Sequence, residues 1–197
     1  MGGYDAYTNA TTVSMWCYLK SNSSLQYFFN KHDSLNSSVR FLSYTSTGGD
    51  LVFTRRDSSD PAGARVTYSN FANNILNKWV HIAFVSSGSD FTLATNMSVY
   101  VDGVIQTPSS STDGDGFSSG EESGGIFTLG ARYYDDTRNM EADFQNVRIW
   151  NRALTPTEVS RLYTEPWAGL EPLSPFSFFS GLSQIYAYYS AAFLQRL

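Results

Sequence analysis

Cysteine is almost missing from this chain: Cys17 stands alone among 197 residues. A single thiol excludes an intrachain disulfide framework and a cysteine-based zinc site. Charge is sparse as well. The 13 Lys+Arg and 18 Asp+Glu make up 16% of the chain, against about 25% in an ordinary globular domain. The balance is negative, at −5, which argues against a general phosphate-binding surface and so against nucleic acid as a partner. Histidine is limited to His32 and His81, far apart in sequence. No Ser/His/Asp or Cys/His arrangement stands out, so a covalent-nucleophile enzyme is unsupported. Four methionines and few leucine-rich periodic runs speak against a helical bundle. The first twelve residues lack a basic region followed by an apolar run, and a secretory leader is not expected. Without one, the sequons at Asn9, Asn22, Asn36 and Asn96 are expected to stay unmodified.

Aromatic residues fill the space that charge leaves. The 14 Phe, 13 Tyr and 4 Trp also amount to 16%, too apolar a composition for a disordered chain. Abundant Ser, Thr, Asn, Gly and Tyr favour short strands joined by turns. Over residues 12–19, Val13, Met15, Cys17 and Leu19 share one face by the period of two. That makes Cys17 a buried thiol of the core. Strand-like runs follow at 25–30, 39–44, 51–55 and 65–69. The run from Lys78 to Val85 is apolar on both faces, as a covered central strand would be. Asp102-Gly103 between β-branched runs predicts a two-residue hairpin, because a type I′ turn needs positive φ at both central positions. Two last strands are expected at 125–131 and 142–150.

One helix is expected, from Pro156 to about Tyr163. Thr155 at N-cap, Pro156 at N1 and Glu158 at N3 form a capping box, and Leu154 and Val159 are spaced for a hydrophobic staple. Strands at this spacing with a single late helix read as an all-β, antiparallel two-sheet jelly-roll sandwich. The expected boundaries are 1–164 for the sandwich and 165–197 for an apolar aromatic tail.

Five pieces in order resemble a laminin-G-like domain of the concanavalin A-like lectin/glucanase superfamily. They are Val13-Ser-Met-Trp16, Lys78-Trp-Val-His-Ile-Ala83, Val99-Tyr-Val-Asp-Gly103, Phe127-Thr-Leu-Gly130, and the closing run from Phe144 to Val159. The resemblance implies a jelly roll of roughly a dozen strands. The family usually starts one strand earlier, whereas about eleven residues precede the first strand here. Tyr163-Thr-Glu-Pro-Trp167 is similar to the ending of such domains in tailed-bacteriophage structural proteins.

Three kinds of chemistry deserve weighing. Glucanases of the superfamily carry Glu-x-Asp-x-Glu on one strand face, which the period of two holds together for nucleophile and acid/base roles. This chain has Glu141-Ala-Asp143-Phe-Gln145, and a glutamine cannot give and recover a proton. The triplet reads as a solvated strand face, and no catalytic residue is expected. His81, alternating with Trp79 and Ala83, reads as a hydrogen-bonded core residue. For calcium, Asp113, Asp115, Glu121 and Glu122 offer hard oxygen ligands on a Gly/Ser-rich stretch, residues 108–125, that otherwise reads as a solvated acidic loop. The resemblance places that loop at the sandwich rim, where relatives bind calcium. Asp135-Asp136 with Asn139 is a second candidate. For sugar, an aromatic platform must stand beside hydrogen-bonding groups. Tyr133, Tyr134, Asp135 and Asp136 supply that mixture, as do Tyr68 and Asn70 in the run to Asn74.

The end of the chain is different in kind. Residues 172–195 contain no charge at all. The run is long enough to cross a bilayer, but Ser, Tyr, Gln and Pro make it a poor membrane span. It reads as a buried segment. Exposed on a monomer, Trp167, Phe176, Phe178, Phe179, Ile185, Tyr186, Tyr188, Tyr189, Phe193 and Leu194 would form a patch that soluble monomers avoid. Such residues are enriched at interfaces. The leading expectation is a non-enzymatic virion protein of structure or adhesion, assembled in the host cytoplasm and released by lysis. It would be anchored through this tail to other virion proteins or to copies of itself as a homo-oligomer. The alternative is a carbohydrate-binding module for host surface glycans.

Overall fold

The structure is a computed structural model and describes residues 10–32, 40–56, 63–87, 92–114, 126–132 and 138–167. The chain divides into two units, Met1–Pro166 and Trp167–Leu197. Of the second, only Trp167 is among the described residues, and it is exposed. The tail positions from Phe176 to Leu194 lie outside them.

The first unit is built from β1 (Thr11–Leu19), β2 (Gln26–His32), β3 (Arg40–Thr45), β4 (Leu51–Arg56), β5 (Ala64–Tyr68) and α1 (Phe71–Ile75). Then come β6 (Trp79–Ser86), a 3-10 turn at Ala94–Asn96, β7 (Met97–Val101), β8 (Val104–Ile105) and β9 (Ser110–Thr112). Last are β10 (Ile126–Leu129), β11 (Ala142–Trp150) and α2 (Pro156–Thr164). One sheet runs β11-β1-β6-β7-β8 and the other β10-β2-β3-β4-β5-β9. Every strand pairing among the described residues is antiparallel. This is the expected two-sheet jelly-roll sandwich.

The core lies between the sheets and follows the period of two. Val13, Met15, Cys17 and Leu19 on β1 and Val80, Ile82 and Phe84 on β6 face it and are buried. A register shift between Tyr27 and Phe29 turns both Phe28 and Phe29 inward. Phe29, Phe41, Phe53 and Phe84 then pack as tilted and edge-to-face rings with centroids 5.1–6.3 Å apart. Burial pushes the Cys17 thiol up to about 12, with the Asp143 charge adding to it. It is an inert core group.

The second layer sits on the outer face of the five-stranded sheet. Ala83, Val85 and Tyr100 meet Leu154 and Val159, so α2 covers that face. The capping box is formed: Glu158 N–H donates to Thr155 Oγ1 at 3.3 Å, and Thr155 N–H donates to Glu158 Oε2 at 2.8 Å. Arg152 adds a two-pronged bond to the same carboxylate, at 2.9 and 2.6 Å. The Thr12 hydroxyl donates to Arg152 O and accepts from Leu154 N–H, tying the start of β1 to the approach of α2.

Two local features depart from the sequence reading, and a third agrees with it and adds a contact. The late helix stands as expected, but a short α1 forms earlier in the chain, behind a left-handed Asn70 (φ 56°), with Phe71, Ala72 and Ile75 buried. The stretch read as an acidic loop begins with β9, which pairs with β5 through its backbone alone and keeps its three side chains exposed. The Asp102-Gly103 turn has the expected positive φ at both positions, 50° and 79°, and Gly103 also passes under α2. A Cβ on it would lie 3.1 Å from Ser160 Cα.

Candidate functional site

Outward-facing side chains of β1, β6 and β11 form rows across the five-stranded sheet. Register places Asp143, Tyr18 and Trp79 side by side in one row. Gln145, Trp16 and His81 form the next. Trp16 and His81 of the second row lie under α2. Tyr163 stacks on Trp16 with centroids 5.8 Å apart and planes 29° apart, and it also meets His81 at 6.5 Å. His81 is 2% exposed. Burial lowers its pKa to about 4, Asp102 opposes that shift, and Arg148 adds to it. The imidazole is therefore neutral near pH 7. His81 is buried as expected, and its Nδ1, like the Trp16 Nε1, has no hydrogen-bond partner among the described residues. The cleft between Trp16, His81, Arg148 and Leu162 has no room for a water molecule. The Arg148 guanidinium closes it by donating to Pro166 O at 2.6 Å. This end is packing, with no space for a ligand.

Beyond the reach of α2 the row of rings opens to solvent. Tyr18 and Trp79 stand 5.7 Å apart at 57°, and Trp79 is 40% exposed. Tyr18 lies between the buried Cys17 and Leu19, so its outward direction is fixed by strand alternation. Beside the rings, Lys20 Nζ donates to Asp143 Oδ1 at 2.6 Å, and both side chains are about half exposed, at 51% and 53%. Gln145, two residues along β11 from Asp143, is exposed on the same face. The result is an open aromatic ledge edged by an ammonium, a carboxylate and an amide.

None of these ledge residues was singled out from sequence as a binding group. Lys78 to Val85 reads as covered on both faces, and it is from Val80 onward, whereas Lys78 and Trp79 are exposed. The available signal was the other face of β1, where Trp16 and Tyr18 alternate with the core residues.

Of the sugar and metal residues expected from sequence, Tyr68, Asn70 and Asp113 are among the described residues. Tyr68 is 5% exposed and packs on Phe71 in the core, its pKa pushed up to about 12 chiefly by burial. A ring so placed has no free face for a sugar, which corrects that expectation. Asn70 is exposed, but it serves the turn into α1: its N–H donates to Asp50 Oδ1 at 2.9 Å. Tyr133, Tyr134, Asp135 and Asp136 lie outside the described residues. So do Asp115, Glu121 and Glu122 of the calcium set. The remaining member, Asp113, accepts the Ala94 N–H at 2.7 Å and holds the start of the 3-10 turn. Among the described residues no three His, Cys, Asp or Glu side chains come together to hold a metal ion. Nor is any described helix long and apolar enough to cross a membrane. Asp143 and Gln145 of the glucanase-like triplet point outward on β11, and Glu141 just before it is exposed as well.

Comparison with known proteins agrees with this architecture. A laminin-G family model described as Concanavalin A-like lectin/glucanases superfamily matches residues 3–160. No curated protein matches the chain. Among solved structures, a SAP-like pentraxin from Limulus polyphemus, described as heptameric, superposes with a TM-score of 0.51 at 16% identity. That match covers 79% of this chain and 71% of the pentraxin. The CBM40 of the Ruminococcus gnavus IT-sialidase gives a TM-score of 0.54 at 12% identity, covering 82% of this chain and 91% of that one. A Trypanosoma rangeli sialidase gives 0.56 at 13% identity, covering 82% of this chain but only 23% of the sialidase. At these identities the structural likeness establishes the fold. The order of strands, the short closing helix and the family match over 3–160 lead to one assignment: the chain belongs to the Concanavalin A-like lectin/glucanases superfamily.

Proposed function

We propose that the sandwich is a non-enzymatic glycan-binding domain that meets sugar on the outer face of its five-stranded sheet. The observation that carries this reading is Trp79, an indole left 40% exposed on a sheet face, with Tyr18 5.7 Å away and the Lys20–Asp143 pair on the far side of Tyr18. The apolar face of a pyranose stacks on such a ring while its hydroxyls bond to the polar edge. Catalysis has no comparable support. Gln145 stands where an acid/base would be needed, and Asp143 is occupied by Lys20 at 2.6 Å. A glycan array probed with the full chain, with and without calcium, is the test. Sugar binding is expected; absence of binding in both conditions overturns the reading and leaves a scaffold. Hydrolysis of a β-glucan panel by the purified chain would overturn its non-enzymatic part.

The biological setting we propose is a bacteriophage virion, with the sandwich displayed as a decoration or adhesion subunit and residues 165–197 as its anchor. The uncharged run 172–195 supports this, because its Phe, Tyr, Ile and Leu side chains suit a protein interface. Its partners would be other virion proteins or further copies of this chain, and a heptameric pentraxin of the same fold gives a precedent for self-assembly. Release by lysis would then bring the protein outside the host. Truncation after Gly169 is expected to abolish incorporation into particles. Virions decorated normally by the truncated protein would overturn the anchor.

A further inference from the structure

Resting on the glycan-binding reading, we infer that the ledge selects a neutral pyranose, held through a vicinal pair of hydroxyls by the Lys20–Asp143 ion pair while its ring lies on the Tyr18–Trp79 surface, over Tyr18 and against the edge of Trp79. The chemistry of the edge decides the class. An ammonium has three donors and no acceptor, and a carboxylate is an acceptor only. One Lys20 N–H is spent on Asp143 Oδ1 at 2.6 Å. The other two N–H groups and Asp143 Oδ2 have no hydrogen-bond partner among the described residues, and both side chains are half exposed. A donor and an acceptor thus stand next to each other at the rim of an aromatic surface. Two neighbouring hydroxyls of a sugar fit that pair, one accepting from Lys20 and the other donating to Asp143. Charged hydrogen bonds of this kind are stronger than neutral ones. Gln145, farther along the same strand face, can serve as donor or acceptor to the next hydroxyl.

An acidic sugar meets a different balance. The Lys20 charge is already compensated, and Glu141, exposed two residues before Asp143, adds a second carboxylate beside it. A sugar carboxylate or sulfate would have to displace Asp143 from Lys20 and then sit among two like charges. The chain as a whole, at −5, gives no long-range attraction for an anion either. The negative π faces of Tyr18 and Trp79 give an anion no attraction either. The ion pair and Glu141 therefore set the selectivity.

The experiment is a calorimetric titration of the full chain with neutral oligosaccharides and, in parallel, with sialylated, uronic and sulfated ones. Neutral sugars are expected to bind, with a loss of about tenfold in affinity for Trp79→Ala. Trp79→Phe keeps a ring and is expected to keep part of the affinity, which guards against a folding defect in the alanine variant. Asp143→Asn is expected to weaken neutral sugars several-fold, and Glu141→Gln to leave them unchanged while admitting acidic ones. Binding confined to acidic glycans but lost in Trp79→Ala would overturn the neutral class and keep the ledge. Binding of any glycan that is indifferent to both Trp79 variants, or no binding at all, would overturn the ledge itself.

Discussion

Tyr163, near the end of α2, lies against Trp16 in the middle of β1, with ring centroids 5.8 Å apart and planes 29° apart. The contact fastens the last turn of the helix to the central part of the sheet. It also separates the closed end of the aromatic row from the open ledge. Tyr163→Ala is expected to cost about 1 kcal/mol of stability, measured by urea unfolding. Sugar binding at Tyr18 and Trp79 should stay intact, because those rings touch each other and not Tyr163.

His81 makes stability depend on pH in a definite window. Its folded-state pKa is lowered to about 4 from 6.5. As the pH falls below the unfolded value, the unfolded chain takes up a proton that the folded chain refuses. The contribution is fully present above about 6.5 and is lost between 6.5 and 4, reaching about 3 kcal/mol at the acid end. Unfolding midpoints recorded across that window should fall with acidity. His81→Gln should flatten that segment of the curve.

Gly103 is held by two constraints at once. Its φ of 79° belongs to the left-handed region, and a Cβ there would press on Ser160 Cα at 3.1 Å. Gly103→Ala is expected to destabilise by more than about 1 kcal/mol. A replacement that only strained the turn would leave α2 untouched. Here the thermal melt should fall together with protection of α2 amides in hydrogen exchange.

Cys17 supplies a probe of opening. With its thiol buried and pushed up to about 12, it should ignore a thiol reagent at pH 8 in native buffer and react at once in denaturant. Labelling in native buffer at the rate of a free thiol would contradict its placement in the core.

The parts of the fold that sequence made legible are those written within a few consecutive residues. The capping box at Thr155 and Glu158, the Asp102-Gly103 turn and the alternation of Val13, Met15, Cys17 and Leu19 each carry their own local reason. Helix α1 was not legible because Asn73 and Asn74 are poor helix formers; the burial of Phe71, Ala72 and Ile75 overrides them. Strand β9 was not legible because Ser110–Thr112 bury no side chain and hold by backbone pairing with β5. The ledge was hidden for another reason. Tyr18 and Trp79 become neighbours only through the register of β1 on β6, and the exposure of Trp79 depends on where α2 stops. Tyr68 failed as a sugar residue because alternation on β5 points it inward with Val66 and Ala64.

The pairing of β1 with both β6 and β11 has a kinetic side. The first strand of the sheet lies beside its last, so one of its two neighbours, β11, leaves the ribosome long after β1 itself. The Thr12 hydroxyl waits equally long for Arg152 and Leu154. Until then an edge of β1 is unpaired and its rings have no helix over them. Folding dominated by such distant contacts is slow, on the order of milliseconds to seconds, and exposed to aggregation. A nascent chain stalled before residue 150 should therefore hold a complete six-stranded sheet facing an unfinished partner, and it should be the form that chaperones bind.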